Sequence, residues 1–245
     1  MNKTAIIIPS RLDALRFPNK PLELINNKEM ILHVYEAAKK TNTGEVYVAT
    51  PDQKIIDVIT SNGGKAVLTS LNHKTGTDRV YEVFKTQLNS QASIIVNLQG
   101  DMPNINPQDI TDLISYMNKD LCDIGTLASS FSSEAELINE NNVKVVVKEK
   151  LMANNFSEAT DFFRTSSKSH ENFYHHVGIY AFTNKALVRY VSLERSMLEL
   201  DRKLEQLRAL ENNMSIHVGY INSSPLSVDT KNDLIEVKKI MENNE

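Results

Sequence analysis

Three cations follow an apolar run near the start of the chain: Ile6-Ile7-Ile8-Pro9-Ser10-Arg11 continues through Arg16 and Pro18 to Lys20-Pro21-Leu22. Guanidinium groups grip phosphate oxygens in bidentate fashion and a lysine adds a compact point charge, so this stretch has the chemistry to hold a triphosphate. The spacing of Arg11 and Arg16 does not suit one helix face, and Pro18 with Pro21 opposes a helix, so a loop that wraps its ligand is expected. Two further groups suit the same ligand. Val96-Asn97-Leu98-Gln99-Gly100-Asp101-Met102-Pro103 reads as a buried strand delivering Gln99 and Asp101 at its carboxyl end, where a carboxylate is a hard ligand fit for Mg2+ beside phosphate. His73-Lys74-Thr75-Gly76-Thr77-Asp78-Arg79 reads as a helix start capped by Thr75 or Thr77. Arg79 in its first turn opposes the helix dipole, so an anionic partner is expected there. A second acid, Asp229, is either a metal ligand or the cap of a helix beginning near Lys231, a role Thr230 could also fill.

These residues need a scaffold, and the first half of the chain predicts one. Apolar runs at Ala5 to Ile8, Val46 to Ala49, Ala66 to Leu68 and Ile94 to Leu98 read as strands buried on both faces. Between them, Met30 to Lys40, Gln53 to Ser61 and Asp78 to Leu88 carry helical apolar spacing, and Gly63-Gly64 ends the second. Such an alternation predicts an α/β fold with a parallel sheet and right-handed crossovers, and in open sheets of this kind ligands lie beyond the carboxyl ends of the strands. In the second half, strands are predicted at Ile124 to Ser129, Val143 to Val147 and Val177 to Phe182, with Lys148-Glu149-Lys150 turning into a strand over Leu151 to Phe156. Ala159 to Tyr174 shows no period and reads as a lid or subunit-contact arm. Helices are predicted at Leu198 to Glu211 and Lys231 to Met241, around a strand at Ser215 to Tyr220. We expect one domain over residues 1–245, with an excursion at about 125–182.

Composition narrows the function classes. A chain of 245 residues, 41% hydrophobic and 24% charged, can bury a full core. No apolar run is long enough to span a bilayer, the amino terminus leads into a strand without a signal peptide, and a lone Cys122 rules out an intrachain disulfide framework. A cytoplasmic enzyme is expected. A net charge of -4 without a basic tract argues against a nucleic acid polymer as partner. Neither G-x-G-x-x-G nor G-x-x-x-x-G-K-[ST] is present, so side chains and the backbone amides of the Arg11 to Lys20 loop must hold the phosphates. Cys122, beside Asp123, reads as a buried, inert thiol.

Taken together, the motifs resemble the 3-deoxy-manno-octulosonate cytidylyltransferase family over nearly the full chain. That family opens I-I-P-A-R-x-x-S-T-R-[LF]-P-x-K-P-L, as Ile7 to Arg11 and Arg16 to Leu22 do, and His73, Gly76-Thr77 and Arg79 match its H-x-S-G-T-[ED]-R. Val96 to Asp101 match V-N-V-Q-G-D, and Asn142 to Val146, His176 to Tyr180, Leu204 to Arg208 and Val228 to Thr230 follow in family order. The resemblance implies a Rossmann-like nucleotide-diphospho-sugar transferase fold, mostly parallel with helices on both faces, in a homodimer. It implies transfer of the cytidylyl group of CTP to 3-deoxy-manno-octulosonate (Kdo), with release of diphosphate, for lipopolysaccharide assembly. By the same resemblance Arg11 and Lys20 hold the triphosphate with Arg16 nearby, Asp101 and Asp229 anchor Mg2+, Gln99 and Arg79 surround nucleotide and sugar, and His176, Glu205 and Gln206 shape the sugar pocket. Four departures stand out: Met102 for an acid, Glu158 for an arginine, Ala14-Leu15 for Ser-Thr, and Arg202 for a glutamate. Glu158 and Arg202 are expected either to face each other as a reversed salt bridge or to face the sugar. The alternatives are a cytidylyltransferase for another sugar acid, such as sialic acid or amino-Kdo, and a non-catalytic nucleotide-binding relative.

Overall fold

The computed structural model describes residues 3–14, 16–153, 155–165, 171–222 and 224–242. Leu15 and residues 166–170 of the expected lid lie outside the described residues. Two compact units are present, Met1–Ile114 with Pro225–Glu245, and Ser115–Ser224. The expected excursion at 125–182 lies wholly inside the second.

The first unit begins with β1 (Thr4–Pro9), in which all six residues are buried. A 3₁₀ turn over Lys20–Leu22 and the small hairpin of β2 (Leu24–Ile25) and β3 (Lys28–Glu29) lead into α1 (Met30–Lys40). Then β4 (Gly44–Thr50), α2 (Gln53–Ser61), β5 (Ala66–Leu68), α3 (Gly76–Gln87), β6 (Ile94–Leu98) and α4 (Pro107–Met117) follow. The strands pair in the order β5-β4-β1-β6 and every pairing is parallel, with Ile6 opposite Val46 on one side and Val96 on the other. Near-continuous apolar strands are what a parallel sheet covered on both faces demands. The hairpin and α4 were not expected, although Ile110, Leu113, Ile114 and Met117, all buried, carry the helical spacing of α4.

The second unit contains β7 (Ile124–Ser129), α5 (Glu134–Ile138), β8 (Lys144–Val147), β9 (Phe156–Phe163), β10 (Phe173–Thr183), α6 (Asn184–Ser192), α7 (Met197–Arg202), α8 (Leu207–Glu211) and β11 (Ile216–Tyr220). Here β11 pairs with β7 in parallel, the other pairings are antiparallel, and β8 bonds both β9 and β10, so the run of five strands returns on itself.

Three expectations fail in this unit. Of the strand expected over Leu151 to Phe156, residues 151–153 and 155 are irregular; β9 starts only at Phe156 and continues through residues expected to be irregular. The cause is a bulge: Val146 faces Asp161 while Val147 faces Ala159, and the extra residue breaks the alternation by which a strand is read. Likewise Phe173 and Tyr174 belong to β10. The single helix over Leu198 to Glu211 is two helices, broken where Lys203 adopts a left-handed φ of 54°.

Back in the first unit, α9 (Lys231–Glu242) is the last element among the described residues, and its Leu234 and Val237 bury with Val228 against Phe17, Ile25 and Met30.

Candidate active site

The cationic loop leaves β1 with Ser10 N–H on the Ala49 carbonyl at 2.9 Å, and the Leu12 N–H is held by Asp52 Oδ2 at 2.8 Å. It then doubles back, Asn19 N–H donating to Leu12 O at 2.9 Å, and Asn19 takes a φ of 61°, a conformation asparagine tolerates better than most residues. This return brings Arg16 and Lys20 to two carboxylates. Lys20 Nζ lies 2.9 Å from Asp101 Oδ2, 3.3 Å from Asp229 Oδ1 and 2.7 Å from the Val228 carbonyl, while Arg16 Nη2 lies 2.8 Å from Asp229 Oδ2. Burial works against the Lys20 ammonium, yet Asp101 and then Asp229 outweigh it and raise its pKa above 10.5. The two segments are themselves joined, Val228 N–H to Asp101 O at 2.9 Å.

The geometry separates the two roles open to Asp229. Thr230 Oγ1 accepts the Asp233 N–H at 3.3 Å, and Asp233 Oδ2 returns bonds to Asp229 N–H and Thr230 N–H, so Thr230 and Asp233 cap α9. The Asp229 carboxylate is thereby left to the cations. Asp101 and Asp229 converge on one cationic group from two segments, and this pair of hard oxygen donors fits the few carboxylates that Mg2+ takes beside phosphate.

Beside this cluster opens a cleft of about 270 Å³ lined by Ser10, Arg11, Lys20, Lys74, Thr75, Gly76, Arg79, Gln99, Gly100 and Asp101, among others. Gly100 permits its floor: a Cβ there would stand 3.1 Å from Ile31 Cδ1 and 3.3 Å from Pro9 O. Thr75 and Asp78 form a capping box on α3, so of the two threonines Thr75 is the cap, and buried Thr77 instead accepts from Asn97 at 3.2 Å. Asn97 Oδ1 in turn receives Gln99 Nε2 at 3.1 Å. Arg79 is 5% exposed, and its guanidinium donates to neutral oxygens, the Thr69 hydroxyl and the Ser70 carbonyl at 3.0 Å. Burial and then the charge of Arg11 push its pKa below the usual guanidinium range, with Glu82 and Asp52 offsetting part of this. The anion expected opposite Arg79 is therefore not among its hydrogen-bond partners. Two guanidiniums that repel one another beside an open cleft favour an anionic ligand. His73 pairs with Glu82, which also accepts the Ser70 N–H at 3.0 Å and so shapes the wall below Arg79.

The other predicted residues, His176, Glu205 and Gln206, belong to the second unit. His176 lies on β10 beside a register slip between Val177 and Tyr180. Carbonyls freed by that slip are met by Thr126, which donates to Ile179 O at 2.7 Å and stands 3.0 Å from His176 Nε2. Its one proton is used on Ile179, so Nε2–H is the donor to Thr126 and Nδ1 keeps its lone pair. Burial, and secondarily His175, lower the His176 pKa to about 3, so the ring is neutral. Tyr180, whose ring centroid is 5.4 Å from that of His176, is likewise held protonated by burial and by nearby Glu205. Glu205 and Gln206 occupy the turn between α7 and α8 rather than a helix face. Sequence reasoning missed Thr126, although a hydroxyl inside an apolar strand signals a buried partner. Cys122 is buried, its pKa pushed up to about 12 by burial, as its reading as an inert thiol requires.

The departures can now be placed. Glu158 and Arg202 do not pair: Glu158 Oε2 meets Lys148 Nζ at 2.5 Å, and Arg202 Nη1 meets Asp161 Oδ1 at 2.6 Å and Phe162 O at 2.9 Å. Their separation follows from the strand, since Glu158 and Asp161 lie on either side of the β9 bulge. Met102 is buried and Ala14 lines the cleft.

A parallel α/β unit with a cationic cleft and paired carboxylates beyond β1 and β6 is the architecture of a nucleotidyltransferase, and a family model described as cytidylyltransferase matches residues 5–216. The 3-deoxy-manno-octulosonate cytidylyltransferase of Bartonella henselae is 40% identical over 239 residues, covering 96% of this chain and 97% of that protein. That of Rhodopseudomonas palustris is 40% identical over 244 residues, covering 98% of each. A solved structure of CMP:2-keto-3-deoxy-manno-octonic acid synthetase complexed with CTP superposes with a TM-score of 0.89 at 36% identity, covering 99% of this chain and 100% of that one. The chain belongs to the 3-deoxy-manno-octulosonate cytidylyltransferase family.

Proposed function

We propose that this protein activates Kdo: CTP and 3-deoxy-manno-octulosonate give CMP-Kdo and diphosphate. The observation that carries this reading is the cleft itself, where Arg79 is buried beside Arg11 with only neutral hydrogen-bond partners among the described residues and the paired carboxylates adjoin. Family membership over nearly the whole chain supports the substrates. In the reaction the sugar's anomeric 2-hydroxyl oxygen bonds to the α-phosphorus as the bond to the β-phosphate breaks, the electron pair leaves with diphosphate, and the hydroxyl proton is lost.

Arg11, Arg16, Lys20 and Arg79 hold the triphosphate in line and neutralise the charge that shifts to the leaving group. Gln99, fixed through Asn97 and Thr77, faces nucleotide and sugar. Asp101 and Asp229 would hold Mg2+, which supplies charge neutralisation at the phosphates and acidifies the attacking hydroxyl. His176, Glu205 and Gln206 receive the sugar acid. The resemblance supports a cytoplasmic homodimer, whose mass sedimentation of the purified chain would give. No helix among the described residues is long and apolar enough to cross a membrane.

Diphosphate release by the purified protein, with CTP, Mg2+ and Kdo, tests the reading against sialic-acid, no-sugar and Asp101→Asn controls. Kdo-dependent release lost in Asp101→Asn is the expected result. Turnover with sialic acid alone would move the substrate, and silence with every sugar acid despite CTP binding would overturn the enzymatic reading.

A further inference from the structure

The turn that carries Glu205 and Gln206 is held by a chain of contacts that begins at a buried ion pair. Glu199 is fully buried and its carboxylate accepts from Arg208 Nε at 2.8 Å, Arg208 Nη2 at 2.7 Å and Arg195 Nε at 2.8 Å. In one continuous helix, residues nine apart lie on opposite faces and about 13.5 Å apart along the axis. The left-handed break at Lys203 is what lets Glu199 and Arg208 meet, and it throws residues 204–206 out as a turn. Arg208, fixed by Glu199, stacks its guanidinium over the Tyr190 ring at 4.8 Å. The Tyr190 hydroxyl then donates to the Glu205 carbonyl at 2.7 Å and lies 3.4 Å from Glu205 Oε1. That carbonyl already accepts the Arg208 N–H at 3.2 Å, so the hydroxyl adds a second constraint rather than filling a gap in the helix. A buried hydroxyl on a residue whose ring is 2% exposed is more than packing needs.

We propose that Tyr190, braced by the Arg208–Glu199 pair, is a positioning residue for the sugar acid: it sets the direction of Glu205, and with it Gln206. The proposal rests on the reading in which Glu205 receives the sugar. It concerns the sugar end of the reaction alone, because the cations that hold the triphosphate belong to the other unit.

The test is steady-state kinetics of the full chain, with Kdo varied at saturating CTP and CTP varied at saturating Kdo. Tyr190→Phe keeps the ring and removes only the hydroxyl. Loss of one hydrogen bond that orients a binding group raises KM for Kdo by roughly threefold to tenfold and leaves KM for CTP unchanged. Glu199→Gln, which loosens the brace two steps away, shifts the same parameter in the same direction by less. A purely structural role would lower thermal stability and move both KM values together or neither, and either pattern overturns the proposal. Glu205→Gln separates the two layers of inference. A raised KM for Kdo in Glu205→Gln with wild-type kinetics in Tyr190→Phe overturns the positioning role alone, whereas wild-type kinetics in Glu205→Gln removes Glu205 from the sugar pocket and the proposal with it.

Discussion

The ammonium of Lys20 stands 2.9 Å from the carboxylate of Asp101, and among the described residues three oxygens surround it, from Asp101, Asp229 and the Val228 carbonyl. The Lys20 side chain is 14% exposed and that of Asp101 23%, so solvent screens the pair only in part. Lys20→Met leaves two carboxylates facing each other without their shared cation and is expected to destabilise the fold by about 1–2 kcal/mol, below the cost for a fully buried pair. Asp101→Asn leaves Lys20 its bonds to Asp229 and Val228 and should destabilise less. Combining the two should recover part of the Lys20→Met loss, a coupling that urea denaturation of the four proteins measures. Equal, additive losses would show that the contact contributes nothing.

Arg79 has the opposite arrangement, a buried cation without a carboxylate on its guanidinium among the described residues. An anion that enters beside it relieves repulsion from Arg11, so tripolyphosphate or CTP should raise the thermal midpoint of the wild type. A ligand at a hundred times its Kd stabilises by about 2.7 kcal/mol. Arg79→Met should lose most of that shift while keeping its own ligand-free midpoint near the wild type. A ligand shift of wild-type size in Arg79→Met would remove Arg79 from the phosphate site.

What could be read from sequence follows from periodicity. The parallel strands of the first unit and the helices α1 to α3 between them were legible because Ile6 to Ile8 and Ile94 to Val96 are apolar runs, and no bulge interrupts their parallel register. The second unit concealed β9 because the bulge between Val146 and Val147 shifts which face each side chain occupies. It concealed the break at Lys203 because neither Gly nor Pro marks it; the reason for the break, Glu199 meeting Arg208, is a tertiary contact. At the site, Arg11, Lys20 and Asp101 could be named from charge next to strand ends, and Arg79 from a cation in the first turn of a helix. The choice of Asp229 for the cations needed the geometry of Thr230 and Asp233, since either Asp229 or Thr230 could have capped α9.

His176 gives the fold a defined response to acid. Its folded-state pKa of about 3 lies below the ordinary value near 6.5, so between those values the unfolded chain binds more protons than the folded one. Stability is therefore fully present above pH 6.5 and is lost as pH falls toward 3, with a slope of at most about 1.4 kcal/mol per pH unit from this residue. His175, also lowered by burial, acts in the same direction. His176→Gln should be less stable at pH 7, having lost the fit to Thr126 and Phe162, yet lose less on going to pH 5 than the wild type does. Denaturant midpoints at the two pH values decide it; parallel losses in both proteins would assign the acid response elsewhere.

Arg202 is the departure whose partner the structure changes. Its guanidinium joins Asp161 and the Phe162 carbonyl, and Glu158 is engaged by Lys148 instead. Both members of the Arg202–Asp161 pair are about one-third exposed, which limits the coupling to about 0.5–1 kcal/mol. A double-mutant cycle on Arg202→Ala and Asp161→Ala should return that value, and the cycle on Arg202→Ala and Glu158→Ala should return none, because side chains with no shared partner add independently. Because Arg202 ends α7 immediately before the turn that carries Glu205, its loss should also raise KM for Kdo more than KM for CTP. A measurable coupling to Glu158, with none to Asp161, would restore the reversed salt bridge as the meaning of these two substitutions.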